Sequence, residues 1–154
     1  MSFFRSLWRG VLAGAAGTTA LNAVTYADMT LRGRPESDTP AQTVETAADA
    51  AGVEVPGSDD VREHRTSALG ALSGIATGVV VGAAYGALRG LGLRPPPALA
   101  GVLLGGAAMA LTIGPMAALD VTDPRTWSPS DWASDVVPHL AYGCTTAAAF
   151  AAGR

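Results

Sequence analysis

Lysine is missing from this chain of 154 residues; all ten basic residues are arginine. With the bias toward Ala, Gly, Arg and Pro, that absence points to the codon usage of a GC-rich bacterial genome. Cysteine occurs once, at Cys144, which excludes an intramolecular disulfide and a cysteine-based metal centre. Charge is scarce: 15% of the residues are Asp, Glu, Lys or Arg, against roughly 25% in an average soluble domain. A net charge of -3 and the lack of any basic cluster argue against nucleic-acid binding. Acid is also locally absent. All thirteen acidic residues fall between Asp28 and Glu63 or between Asp120 and Asp135. A soluble surface intersperses both signs, so this segregation is itself a signal.

What fills the uncharged regions is Ala, Gly and aliphatic residues, 49% of the chain being hydrophobic. Four stretches, Gly10–Ala27, Ser67–Leu88, Ala98–Leu119 and Val136–Gly153, are free of charge and each approaches the ~20 residues a helix needs to cross a bilayer. They lack the alternating polar face of a water-facing helix. They predict spans over about 10–31, 66–91, 97–120 and 129–152 in a single membrane domain, with outer loops at 32–65 and 121–128. The fold class is therefore all-α: an integral membrane four-helix bundle with a short extramembrane amphipathic helix between the first two spans. A soluble Ala-rich bundle, and a cleaved signal peptide using Arg5, Arg9 and a site near Ala23, are the competing readings.

Local signals place the element ends. In "WSPSDW", Ser128 is a natural N-cap, Pro129 takes the first helical position, Asp131 completes a capping box, and Trp127 and Trp132 form a hydrophobic staple. In "DTPAQTVETAADAAG", Thr39 reads as a cap, Pro40 as the start, Gln42 as the capping-box partner and Gly52 as the stop. "RPPP" ends the second span, and the short turn makes the second and third spans expected antiparallel neighbours.

The second span carries Gly70, Gly74, Gly78, Gly82, Gly86 and Gly90, one glycine every four residues. In water each would cost ~1 kcal/mol relative to Ala. In lipid such spacing lets another helix approach closely. Four residues overshoot the 3.6-residue turn by about 40°, so the stripe rotates by about 200° over its length. The ladder reads as packing rather than as a phosphate loop, using either two neighbours or one obliquely crossing partner. Gly10, Gly14, Gly17, Gly101 and Gly105 offer matching small surfaces.

Chemistry concentrates in the fourth span. Asp131, Asp135, His139, Tyr142 and Thr146 follow at steps of four, four, three and four, on one helical face. His139 lies about 15 Å from the helix start, inside the apolar layer, where ionisable residues are functional candidates by default. Asp28 and Asp120 belong to the same membrane face, although Asp28 has the i, i+4 spacing to pair with Arg32, and Thr18, Asn22 and Tyr26 form a second polar stripe. The candidate proton or ion site is thus His139, Asp135, Asp131, Asp28, Asp120, Tyr142 and Asn22, lining a pocket that narrows toward His139. The bland alternative is a satisfied interhelical hydrogen-bond pair. Asp135 and His139 would supply two metal ligands, but no second intramembrane His completes a set. No hydroxyl pairs with a base, so neither an enzyme nor a cofactor is expected.

"GVLLGGAAMALTIGPMAALDVTDPRTWSPSDWASDVVPHLAYG", residues 101–143, resembles the C-terminal half of the YagU-like bacterial inner-membrane proteins. The shared features are a Gly/Ala-rich span, a short outer loop with Pro and Trp, and an acid four residues before an intramembrane His, here Asp135 and His139. Pro138, where a small residue would be expected, and the glycine-laddered second span depart from that pattern. The resemblance implies an integral membrane protein associated with survival in acid, not an enzyme.

With four spans both termini share one side, which carries Arg5, Arg9, Arg89, Arg94 and Arg154 on short segments. The other side also carries five Arg, on longer segments beside the acids, so the tally ties and it is arginine density that puts the first side in the cytoplasm of a plasma (inner) membrane. Two functions follow: proton sensing, conduction or acid tolerance through the Asp135–His139 pair, or a non-catalytic accessory or scaffold role. The implied partners are the lipid bilayer and a homo-oligomer or larger membrane complex.

Overall fold

The structure, a computed structural model, describes residues 2–153. It is all-helical, with five α-helices and no strand among the described residues: α1 (Phe3–Arg32), α2 (Thr39–Ala50), α3 (Asp59–Gly90), α4 (Pro97–Ala118) and α5 (Pro129–Ala152). A single 3-10 turn, Pro124–Thr126, precedes α5.

Helix ends follow local chemistry. Ser128 and Asp131 form the reciprocal capping box, and Trp127 packs on Trp132 with ring centroids 5.1 Å apart. The α2 start differs from expectation. Asp38 occupies the N-cap position, Thr39 is already helical, and no side chain caps α2. Ser37 turns the chain instead, its hydroxyl accepting from the Thr39 N–H at 3.3 Å. Gly52, in the left-handed region at φ 68°, does end α2: the Val53 N–H reaches Ala48 O at 2.9 Å and the Gly52 N–H reaches Asp49 O at 3.0 Å. Asp120 plays the same part after α4, at φ 56°, with Val121 N–H on Met116 O and Asp120 N–H on Ala117 O.

Packing follows the glycines. The α1 helix lies between α3 and α5, and α5 lies between α1 and α4. A Cβ added at Gly82 would sit 2.5 Å from both Gly10 O and Gly14 Cα; one at Gly14 would sit 2.6 Å from Gly78 O. The two backbones therefore touch, which only glycine permits. Gly86 and Gly90 also meet α1, whereas Gly70 meets Pro40 of α2 and Gly74 faces open space. The rotating stripe thus serves two neighbours. Gly101 and Gly105 match α5 rather than α3: a Cβ at Gly105 would lie 2.6 Å from His139 O. The α3 and α4 helices, expected as neighbours, do touch, but loosely, because the glycine faces of both are committed elsewhere.

The buried core is small and fine-grained: Ala13, Val81, Tyr85, Ala100, Leu104, Ala108, Tyr142, Ala147 and Phe150. Large apolar side chains point outward, among them Phe4, Trp8 and Leu12 along one face of α1 and Leu72, Val80, Val102 and Leu103 on α3 and α4. Two helices, α3 and α4, are long and apolar enough to cross a membrane, and only 22% and 28% of their most apolar stretches are buried in the molecule. The α1 and α5 helices have the length, but polar groups interrupt their apolar stretches, Thr, Asn and Tyr on one and Ser, Asp and His on the other.

Candidate functional site

The loose α3–α4 side and the α2 segment leave two clefts, of about 630 and 830 Å³. Both reach His139, which lies where α5 meets α1 and α4. The chain from Glu36 to Pro40 lines both and straddles the space between them.

His139 is 7% exposed. Its Nδ1 lies 2.8 Å from the carbonyl oxygen of Asp135, one turn earlier, and 3.5 Å from Asp135 Oδ1. A carbonyl only accepts, so Nδ1 carries the hydrogen and Nε2 is the basic nitrogen. Asp135 Oδ2 is buried without a hydrogen-bond partner. The pair expected at this spacing is therefore formed, but the backbone carbonyl takes the shorter bond.

The other expected residues divide between the clefts. Asp131 and Asp135 line the first, along with Ser130, Ser134 and Trp127. Asn22, Tyr26, Thr18 and Tyr142 line the second. Asp131 is largely committed to its cap, accepting from the Ser128 N–H at 2.9 Å and hydroxyl at 2.7 Å. The Tyr142 hydroxyl donates to Gly78 O at 2.6 Å. Asp28 lines neither cleft: it pairs with Arg32 at 2.6 Å and Arg34 at 2.7 Å. Asp120 lines neither cleft and is exposed, because its place in the left-handed helix end turns it off the bundle.

Arg32 is the residue that sequence reasoning undervalued. Beyond Asp28 it donates to Ser130 at 2.6 Å and to Ser134, so it ties the end of α1 to the start of α5 at the rim of the first cleft. The i, i+4 spacing signalled the Asp28 pair; nothing in the sequence signalled the serines. Thr112, on the one long helix without a charge, was also missed and lines both clefts. In the loop before α5, Asp123 accepts from the Arg125 N–H at 3.0 Å and from its side chain at 3.1 Å, and these bonds hold its carboxyl below the ordinary 3.8.

No group of three or more His, Cys, Asp or Glu that could hold a metal occurs among the described residues. No protein-family model matches the chain, and no curated protein or solved structure matches it.

Proposed function

We propose that the chain is a four-span integral membrane protein, with both termini cytoplasmic, whose His139–Asp135 pair exchanges protons at the base of a cleft opening on the α2 side. The observation that carries this reading is His139 itself: a buried imidazole with Nδ1 fixed by Asp135, at the junction of two clefts, beside a carboxylate oxygen without a partner. A proton taken by Nε2 would make an imidazolium 3.5 Å from Asp135 Oδ1, and the carboxylate would balance it. The charged groups lining the first cleft with this pair are Arg32, Arg34, Glu36 and Asp131; the second cleft, which His139 also lines, adds Asp38, Glu45, Asp59, Arg62 and Glu63, and α4 contributes none.

Membrane placement draws on the outward apolar faces and on the charge segregation. Exposed apolar surface on this scale marks contact with lipid or protein. The acids and α2 gather at one end and Arg5, Arg9, Arg89 and Arg94 at the other. The resemblance of residues 101–143 to YagU-like proteins points the same way, toward acid tolerance without catalysis. The accessory-subunit alternative has one specific support: Gly74 of the ladder faces open space. The ladder's close contacts otherwise lie within the chain.

The test is proton flux. Purified protein in liposomes containing a pH-sensitive dye is given a pH step and compared with His139→Ala. Conduction predicts flux in the parent that falls at least tenfold in the variant. No flux in either would remove conduction and leave sensing or the accessory role.

A further inference from the structure

The second cleft has a shape and polarity that the proton reading does not use. Along α3 its lining runs from Asp59 to Gly78, about 28 Å at 1.5 Å per residue. One leaflet of a bilayer, headgroup included, is about 20–22 Å deep. Side-chain chemistry changes in order along that length. The mouth is charged, with Glu36, Asp38, Glu45, Asp59, Arg62 and Glu63; Thr66 and Ser67 follow; then come Ala71, Gly74 and Ile75. The deep end contains hydroxyls, but they are spent. Tyr142 donates to Gly78 O at 2.6 Å, Thr18 to Gly14 O at 3.0 Å and Thr112 to Ala108 O at 2.9 Å. Asn22 and His139 also line this cleft. Ile75 is 45% exposed and Gly74 has no atom within 4 Å of a Cβ position, so the groove is open at its apolar part.

Arg62 is the second observation. Its Nε is buried without a hydrogen-bond partner. It joins none of the ion pairs among the described residues, although carboxylates line the same mouth. Arg62 as a whole is half-buried, so the rest of its guanidinium stays open to the cleft. A buried nitrogen without a partner costs free energy. A guanidinium fits phosphate as well as carboxylate, and the carboxylates of this mouth leave it unpaired. The five carboxylates around it disfavour a ligand of net negative charge and favour an N–H-bearing cation.

We infer that the second cleft, walled by α1, α2 and α3 and floored by α4 and α5, holds an aminophospholipid of the adjacent leaflet, with its phosphate on Arg62, its ammonium among Glu36, Glu45 and Glu63, and a chain along Ala71, Gly74 and Ile75. This rests on the membrane placement above but not on proton exchange. A lipid here closes the second opening and leaves the first cleft as the route by which water reaches His139.

The full-length protein, purified in detergent, is offered equal amounts of dioleoyl phosphatidylethanolamine, phosphatidylcholine and phosphatidylglycerol, and the retained lipid is measured by native mass spectrometry. The expected result is at least tenfold preference for phosphatidylethanolamine over phosphatidylglycerol, with phosphatidylcholine between because its quaternary nitrogen cannot donate to carboxylates. Arg62→Gln, which removes the phosphate partner common to all three lipids, should lower the retention of each at least tenfold. Gly74→Leu, which meets open space and so keeps the fold, should lower retention of the ethanolamine lipid by a similar factor. Equal retention of all three lipids, a preference for phosphatidylglycerol, or retention unchanged in both variants overturns the inference. So does a dimer that Gly74→Leu dissolves, which would make a second copy of the chain the occupant. Carbonate extraction of the source membranes separates the two levels. Protein released by carbonate removes the membrane placement and this site together; protein that stays embedded without a lipid preference removes the site alone.

Discussion

Tyr142 on α5 donates its hydroxyl hydrogen to the main-chain carbonyl of Gly78 on α3, 2.6 Å away and 64 residues earlier in the chain. The two helices otherwise barely touch, since α1 lies between them. The bond is possible because α1 is thinned at Gly17, where a Cβ would be 2.8 Å from Tyr142 O, and because Gly78 has no side chain. Tyr142 is completely buried. One hydrogen bond thus closes the triangle α1–α3–α5 at the wall of the second cleft.

Tyr142→Phe keeps the ring and removes the bond. Intramembrane hydrogen bonds measured by double-mutant cycles average about 0.6 kcal/mol, and the expected loss is about 0.5–1.5 kcal/mol in reversible unfolding from detergent micelles. Unchanged stability would mean that the ring alone holds the triangle.

The glycine ladder divides by contact, not by position in the repeat. Gly82→Ala puts a methyl group 2.5 Å from Gly10 O and Gly14 Cα and must separate α1 from α3; overpacking of this kind costs about 1–3 kcal/mol or more. Gly74→Ala meets nothing and gains up to about 1 kcal/mol of helix propensity. The two variants, compared by thermal unfolding in one detergent, should shift in opposite directions.

Asp120 and Asp135 are separated by role. Asp120 occupies a left-handed helix end, where glycine is favoured. Asp120→Gly should therefore raise or preserve stability and leave any pH response intact, whereas Asp135→Asn should alter that response. Liposome flux and thermal unfolding on the same preparations distinguish them; an altered response in Asp120→Gly would return that residue to the site.

The loop before α5 supplies a pH effect of known sign. Bonds from Arg125 hold the folded carboxyl of Asp123 below its ordinary 3.8. A depressed carboxyl contributes order that is present above the unfolded value and is lost as pH falls through the folded one. Trp127, whose indole N–H donates to Thr122 at 2.9 Å, reports on this turn. Its fluorescence should hold steady above about pH 4 to 5 and change as the pH is taken below 3.8, and Asp123→Asn should blunt the change.

Much of this was legible beforehand. The start of α5 follows from Ser128, Pro129 and Asp131, because a capping box uses only neighbours in sequence. The i, i+4 step brought Asp135 to His139 and Asp28 to Arg32, as helix geometry requires. Contacts between helices were harder to read. The short turn at Leu91–Pro96 makes α3 and α4 neighbours, but a turn constrains the ends of helices while small residues decide where backbones meet. Gly82 chose Gly10 and Gly14, and Gly105 chose α5. The cap at Thr39 failed because three hydroxyl- or carboxyl-bearing residues, Ser37, Asp38 and Thr39, compete before Pro40. Arg62 went unnoticed because its significance lies in lacking a partner, which only the folded chain can reveal.

The central claim is that His139 exchanges a proton in the folded protein. The chain has only two histidines, His64 and His139, so nitrogen-15 labelling of histidine gives two resolvable imidazoles, assigned by His64→Gln. Spectra of the protein in lipid nanodiscs are recorded from about pH 5 to 8, where imidazole ordinarily changes charge. The account predicts that the His139 signal starts as the tautomer with hydrogen on Nδ1, moves to the imidazolium as pH falls, and does so at a different pH in Asp135→Asn. A His139 signal that stays fixed throughout, and is indifferent to Asp135→Asn, would contradict it and leave the pair as a packing contact.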